Sequence, residues 1–194
     1  MLTMYLFYEL LTLATLPLVM QPMTAAAKAA GIKYLLYSMS GAALAFIGLV
    51  FLILHDAQEF VPGGHLTAAS GGDLSMLLPV FVLAFVGFGV KAALWPLHAW
   101  LPAAAVVKAG AFACIRLVYY SCGTELLRGT WAQTVCIVLA LVTILYGSCM
   151  SLKQRHFKRR LAYSTISNLS YILFAAVLMT GDALAAAFLH LITH

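Results

Sequence analysis

Long apolar stretches, each about as long as a bilayer core is thick, constrain this chain more than any other feature. A helix rises 1.5 Å per residue, so roughly 20 apolar residues cross the ~30 Å of hydrocarbon. Such stretches run from about Leu2 to Met20, Tyr34 to Leu54, Met76 to Leu101, Ala103 to Cys122, Trp131 to Met150 and Leu161 to Met179. A seventh begins near Ala183 and stops at His194, too short to span. Only 9% of the residues are charged and 64% are hydrophobic, whereas a soluble domain carries about 25% charged residues. Lipid is therefore the expected solvent. The fold class is all-α: a polytopic transmembrane helix bundle, with residues 1–194 forming a single transmembrane domain.

The net charge of +5 does not point to nucleic acid, because five of the eleven basic residues lie between Lys153 and Arg160 with few aromatics among them. Between two apolar segments, such a cluster reads as a cytoplasmic loop. Cys114, Cys122, Cys136 and Cys149 have no ligand spacing and lie in apolar segments, which suits packing better than a disulfide or a metal. There is no CxxC array for an iron–sulfur cluster and no glycine-rich nucleotide loop. No metal, cofactor or catalytic redox site is expected in this chain. The N-terminus lacks the cationic region and cleavage site of a signal peptide. It opens inside an apolar stretch, as a piece of a longer protein would.

Loop charges set an orientation. The connection after the first segment holds Lys28 and Lys33, and that after the second holds Asp56, Glu59 and Asp73 without a cation. The connection after the fourth is nearly neutral, that after the fifth is the basic cluster, and that after the sixth holds only Asp182. Positive loops stay cytoplasmic. The pattern alternates correctly at every loop if the N-terminus lies outside.

Four ionisable residues remain within the apolar segments: Glu9, Lys91, Lys108 and Arg116. A charge at the bilayer centre costs at least ~2.5–3.5 kcal/mol, so it seeks a partner or water. Glu9 and Lys91 have opposite signs and lie on different segments, which suits a buried pair. A lysine held out of water also gives up its proton more readily, as a proton relay requires. Each residue has a plainer reading. Glu9 could sit at the outer interface. Lys91 could snorkel from a helix that ends before Trp95-Pro96, and Lys108 could be interfacial after Pro102. Arg116 suits snorkelling or helix pairing better than relay. His98, His190 and His194 titrate in a useful range, although a lone histidine in an apolar helix is more often a hydrogen-bonded packing residue. Pro96 can break its helix and free carbonyls where a cavity is lined, or simply end it.

Four motifs occur in order: Phe7-Tyr8-Glu9-Leu10-Leu11-Thr12-Leu13-Ala14-Thr15, Lys91-Ala92-Ala93-Leu94-Trp95-Pro96-Leu97-His98-Ala99-Trp100-Leu101-Pro102, Val107-Lys108-Ala109-Gly110-Ala111-Phe112 and Lys158-Arg159-Arg160-Leu161-Ala162-Tyr163-Ser164-Thr165-Ile166-Ser167. Together they resemble the antiporter-like, proton-translocating subunits shared by respiratory complex I, membrane-bound hydrogenases and multi-subunit cation/proton antiporters. The D-type antiporter subunit is the most similar in flavour. The resemblance covers essentially the whole chain, which would be less than half of a typical member. It implies a partial antiporter-like fold with inverted repeats and a broken seventh-type helix. Segments one to six would be the fifth to tenth helices. By resemblance, Glu9 pairs with Lys91 beside the helix break, Lys108 lies at the centre of a hydrophilic axis, and His190 and His194 continue that axis. His98 is a further relay candidate.

The sequence departs from the family in one place. Members carry a Pro-, Ser- and His-containing stretch between the Trp-Leu-Pro and Val-Lys-Ala-Gly motifs, whereas here three alanines join Pro102 to Val106. If the third and fourth segments fused into one bent helix, Lys153 to Arg160 would fall outside, against the positive-inside rule. The charge pattern therefore argues for a missing segment. The short connection also puts Lys108 about 9 Å from the helix start, where a mid-membrane position is expected.

The expected function is proton translocation within a larger energy-converting complex, at most as one subunit of a proton-pumping oxidoreductase. Partners would be other membrane subunits, the lipid bilayer and protons, with sodium as the other coupling ion, and no nucleic acid. A bacterial or archaeal cell membrane is the expected location. The competing readings are a stand-alone secondary cation/proton antiporter and a structural or non-functional membrane fragment.

Overall fold

The computed structural model describes residues 1–55, 60–64, 74–97 and 107–194. Helices account for nearly all of them, and no strand occurs among the described residues. The elements are α1 (Leu2–Met20), α2 (Ala25–Leu54), α3 (Leu74–Lys91), α4 (Val107–Arg116, continued by π-helical turns over Leu117–Cys122), α5 (Thr124–Leu127), α6 (Trp131–Lys153), α7 (Phe157–Val177) and α8 (Gly181–Thr193). By length and composition, α1, α2 and α6 can each cross a membrane, while the apolar α3 and α8 are shorter. Three helices start at a threonine whose hydroxyl accepts a backbone N–H of the first turn: Thr24 from Ala27, Thr130 from Gln133 and Thr180 from Ala183. Each such cap satisfies a donor with no partner inside the helix.

Several boundaries differ from the apolar stretches. α2 begins nine residues before Tyr34, because Ala25 to Lys33 form helix readily despite their two lysines. Lys158, Arg159 and Arg160 occupy the first turn of α7 rather than a loop, so only residues 154–156 separate it from α6. The third stretch does not stay helical to Leu101. α3 stops at Lys91, before Pro96, in a Schellman turn. Leu94 N–H bonds the Gly89 carbonyl and Ala93 N–H bonds the Val90 carbonyl. Ala93 takes the left-handed conformation at φ 59°. Such a residue reverses the chain and satisfies the last carbonyls of a helix.

Small residues bring the helices close. A side chain at Gly41 or Gly48 of α2 would run into Val90 or Ala84 of α3, and Gly110 of α4 abuts the backbone of Phe88 to Ala92. In lipid, packing and hydrogen bonds drive helix association, and small residues permit the approach. These contacts also fix direction. Gly41 meets Val90 and Gly48 meets Ala84, so α2 and α3 are antiparallel. Gly110 meets Lys91, and the Cys114 thiol points to the Phe85 carbonyl at 3.7 Å, so α3 and α4 are antiparallel too. The third and fourth stretches are thus not one bent helix. α3 ends at Lys91 and α4 begins at Val107, as separate helices. The Pro102 to Val106 junction itself lies outside the described residues.

Residues 60–64 dock on the end of α4, where Val61 and Gly63 N–H groups bond the Tyr120 and Tyr119 carbonyls. Tyr119 in turn donates to the Thr180 carbonyl. The α2–α3 connection and the turns at Gly123 and Thr180 therefore share one end of the bundle. Chain alternation puts the α1–α2 and α6–α7 turns, with Lys28, Lys33 and the basic cluster, at the other. Three of the four free cysteines, Cys114, Cys122 and Cys136, are buried, and Cys149 is exposed.

Candidate functional site: an ion pair at the end of a helix

Lys91 occupies the last position of α3, where the helix dipole favours a cation. Its side chain is only 3% exposed, and its ammonium reaches α1. There Nζ lies 3.5 Å from Glu9 Oε1 and donates to the backbone carbonyl of Tyr8. It also sits over the Tyr8 ring, 3.3 Å from the centroid. Glu9 keeps 29% of its side chain exposed, so the pair is a buried cation beside a half-buried anion. Glu9 is seven residues, about 10 Å, from the start of α1. Val90 is level with Gly41, which lies well inside the 30-residue α2. Both charges therefore lie deep in the bundle rather than at a rim.

The segment after Lys91 is held from the other side. Trp95 N–H donates to Thr143 Oγ1 at 3.1 Å, and Thr143 donates to the Leu139 carbonyl at 2.6 Å. Thr143 is fully buried near the middle of α6. The turn that ends α3 is thus stitched at the centre of the bundle, where irregular backbone needs protein partners.

The other relay candidates are not gathered at this pair. Lys108 is exposed in the first turn of α4, two residues before the Gly110 that abuts Lys91. His190 and His194 lie on α8, with rings 6.1 Å apart. The His190 ring meets Tyr171 edge-on at 6.2 Å, and its Nε2 is buried without a partner among the described residues. His98 lies outside the described residues. Arg116 packs over Phe112 of its own helix and over Phe60 of the segment docked on the end of α4, at 5.1 and 4.8 Å. No group of three His, Cys, Asp or Glu residues that could hold a metal occurs among the described residues.

Sequence reasoning missed Tyr8 and Thr143. Tyr8 adjoins Glu9, yet nothing in the spacing turns its ring toward Lys91. Thr143 is one hydroxyl in a long apolar run, and only the fold brings Trp95 to it.

An apolar bundle of helices with an ion pair at the end of α3 defines a class: polytopic membrane proteins that hold charge inside the helix bundle. The particular family follows from comparison with known proteins. Residues 1–194 match the model of the NADH:quinone oxidoreductase/Mrp antiporter transmembrane family, and the chain belongs to that family. NADH-quinone oxidoreductase subunit N of Chromohalobacter salexigens is 30% identical over 176 residues, covering 85% of this chain and 37% of the relative. Subunit N of Desulforudis audaxviator is 31% identical over 217 residues, covering 98% and 40%. The structure resembles a chain of the membrane-bound sulfane sulfur reductase, an archaeal respiratory membrane complex. That match has a TM-score of 0.79 at 24% identity and covers 98% of this chain and 41% of the other. The all-α, antiporter-like membrane fold is thereby established. The chain spans about 40% of the length of these relatives. Membrane residence stands, but the family does not fix a bacterial or archaeal source. Chain 4 of the chloroplast NAD(P)H-quinone oxidoreductase of Nicotiana tabacum is 26% identical over 178 residues, covering 84% of this chain and 35% of the relative.

Proposed function

We propose that this chain moves protons as one membrane subunit of a larger energy-converting complex, with Glu9 and Lys91 as the relay pair. The observation that carries the reading is the Lys91 ammonium 3.5 Å from the Glu9 carboxylate, at the end of α3. An amine shielded from water is costly to keep charged, and a neighbouring carboxylate offsets that cost. Withdrawing the Glu9 charge, by movement or protonation, then releases the Lys91 proton to a neighbouring acceptor through water. Lys108, His98, His190 and His194 are the proposed onward groups. The relatives are named as subunits of quinone oxidoreductases, which favours a complex over a stand-alone antiporter. Other membrane subunits and the lipid are its partners in this reading, and protons its cargo.

A relay needs a group that can lose its proton, not merely a cation. Arginine stays charged at accessible pH. Lys91→Arg in the full-length protein, within its complex, should abolish proton uptake by membrane vesicles nearly as fully as Lys91→Ala, with the subunit still inserted. Normal uptake with Lys91→Arg would reduce Lys91 to a static counter-charge and end the relay reading. Equal assembly and equal uptake with Lys91→Ala would leave the chain a structural subunit.

A further inference from the structure

We infer that Tyr8 is a positioning residue for Lys91: its ring and its backbone carbonyl form an uncharged cradle that keeps the amine in place and lessens the cost of its charge while Glu9 is withdrawn and the proton is passed on. The inference rests on the relay reading above and adds to it a residue that the ion pair alone does not require.

Four observations converge on Tyr8. Lys91 Nζ stands 3.3 Å from the centroid of its ring. The same ammonium donates to its carbonyl oxygen. The Tyr8 hydroxyl reaches the Phe88 carbonyl at 3.5 Å, one turn before Lys91 on the same helix. Its ring also meets Phe88 edge-on, with centroids 5.2 Å apart. Tyr8 is 4% exposed, so the ring cannot swing into solvent. A cation over an aromatic face is attracted by the ring quadrupole, most strongly where water is excluded. The α1 backbone therefore offers Lys91 two kinds of partner, the charged carboxylate of Glu9 and the uncharged face and carbonyl of the preceding residue.

The distinction matters for a relay. If Glu9 were the sole partner, neutralising it would leave a bare ammonium in a low-dielectric site, which is strongly unfavourable. The cradle softens that step, so the protonated and released states of Lys91 stay close enough in energy for both to be visited. Other titratable groups on the elements packed here are Tyr5 on α1, Tyr34 on α2, Cys114 on α4 and Cys136 on α6, with Lys108 at the start of α4. Glu9 is the one carboxylate in this group.

The test uses the full-length protein in its native complex, in sealed membrane vesicles. Proton uptake per turnover of the driving reaction is followed across pH. Tyr8→Phe keeps the ring and the carbonyl and should retain the wild-type pH profile. Tyr8→Leu removes the ring, which favours the protonated amine, and should move the alkaline limb about one unit toward lower pH. Replacing Tyr8 by trifluorophenylalanine keeps the shape but drains the negative face, and should move the limb as Leu does. This arm decides the question if Tyr8→Leu fails to assemble. Suppose the fluorinated variant keeps the wild-type limb while Glu9→Gln abolishes uptake. The cradle is then wrong and the relay stands. If Glu9→Gln pumps normally, the relay reading itself falls.

Discussion

The approach of α4 to the end of α3 can be tested at one atom. A methyl group at Gly110 would lie 2.6 Å from Ala92 N, 2.8 Å from the Phe88 carbonyl oxygen and 2.9 Å from Lys91 C. Ordinary contact starts near 3.4 Å, so the two helices must part by about 0.8 Å. All three obstacles are backbone and cannot rotate away. Overpacking of this kind costs about 1–3 kcal/mol, and rigid obstacles put the cost at the upper end. Alanine returns about 1 kcal/mol through its better helix propensity. Gly110→Ala should therefore destabilise the protein by roughly 2 kcal/mol in denaturant-induced unfolding of the purified subunit. It should also lower proton uptake, since the displaced backbone carries Lys91. Gly89→Ala is the matched control, because a methyl there would only touch Leu94 at 3.4 Å. It should be neutral or slightly stabilising. If Gly110→Ala is as stable as wild type, or Gly89→Ala costs as much, the close α3–α4 contact is wrong.

Three further outcomes follow from the same geometry. Ala93 holds φ 59°, which costs a non-glycine residue roughly 1–2 kcal/mol. Ala93→Gly should be neutral to stabilising, and Ala93→Val clearly destabilising, in the same unfolding assay. Removing the Thr143 hydroxyl leaves the Trp95 N–H without its partner. Thr143→Val should cost about 1–3 kcal/mol, and a loss below 0.5 kcal/mol would mean that the stitch across the helix break is unimportant. Finally, both basic turns share one end of the bundle, and the positive-inside rule makes that end cytoplasmic. In a background without Cys149, an impermeant reagent outside the cell should label a cysteine at the exposed Pro62 (Pro62→Cys) and spare Gln154→Cys. The reverse pattern would invert the orientation.

Much of this protein was legible in its sequence because the relevant quantities are local. Apolar length sets which stretches can cross a bilayer, and α1 and α6 fall close to the boundaries that length gives. Charge inside an apolar run is conspicuous because lipid penalises it, which singles out Glu9 and Lys91 before any geometry is known. Lysine and arginine counts in the loops already argued that the third and fourth stretches are separate helices.

Tertiary structure decided what depends on neighbours distant in sequence. Pro96 was the evident helix breaker, yet α3 ends five residues earlier, at Lys91, in a turn through the left-handed Ala93. The turn that ends it is completed by Leu94 and Gly89, and the following chain is held by Thr143 of another helix. Gly110 reads as a weak point in an isolated helix, but the fold makes it the point where α4 closes on Lys91. Tyr8 reads as one aromatic residue in an apolar run and becomes a partner of the buried cation. Hydrophobicity fixes which residues enter the membrane. Which side chains then meet there depends on packing between helices, and no single stretch of sequence contains that information.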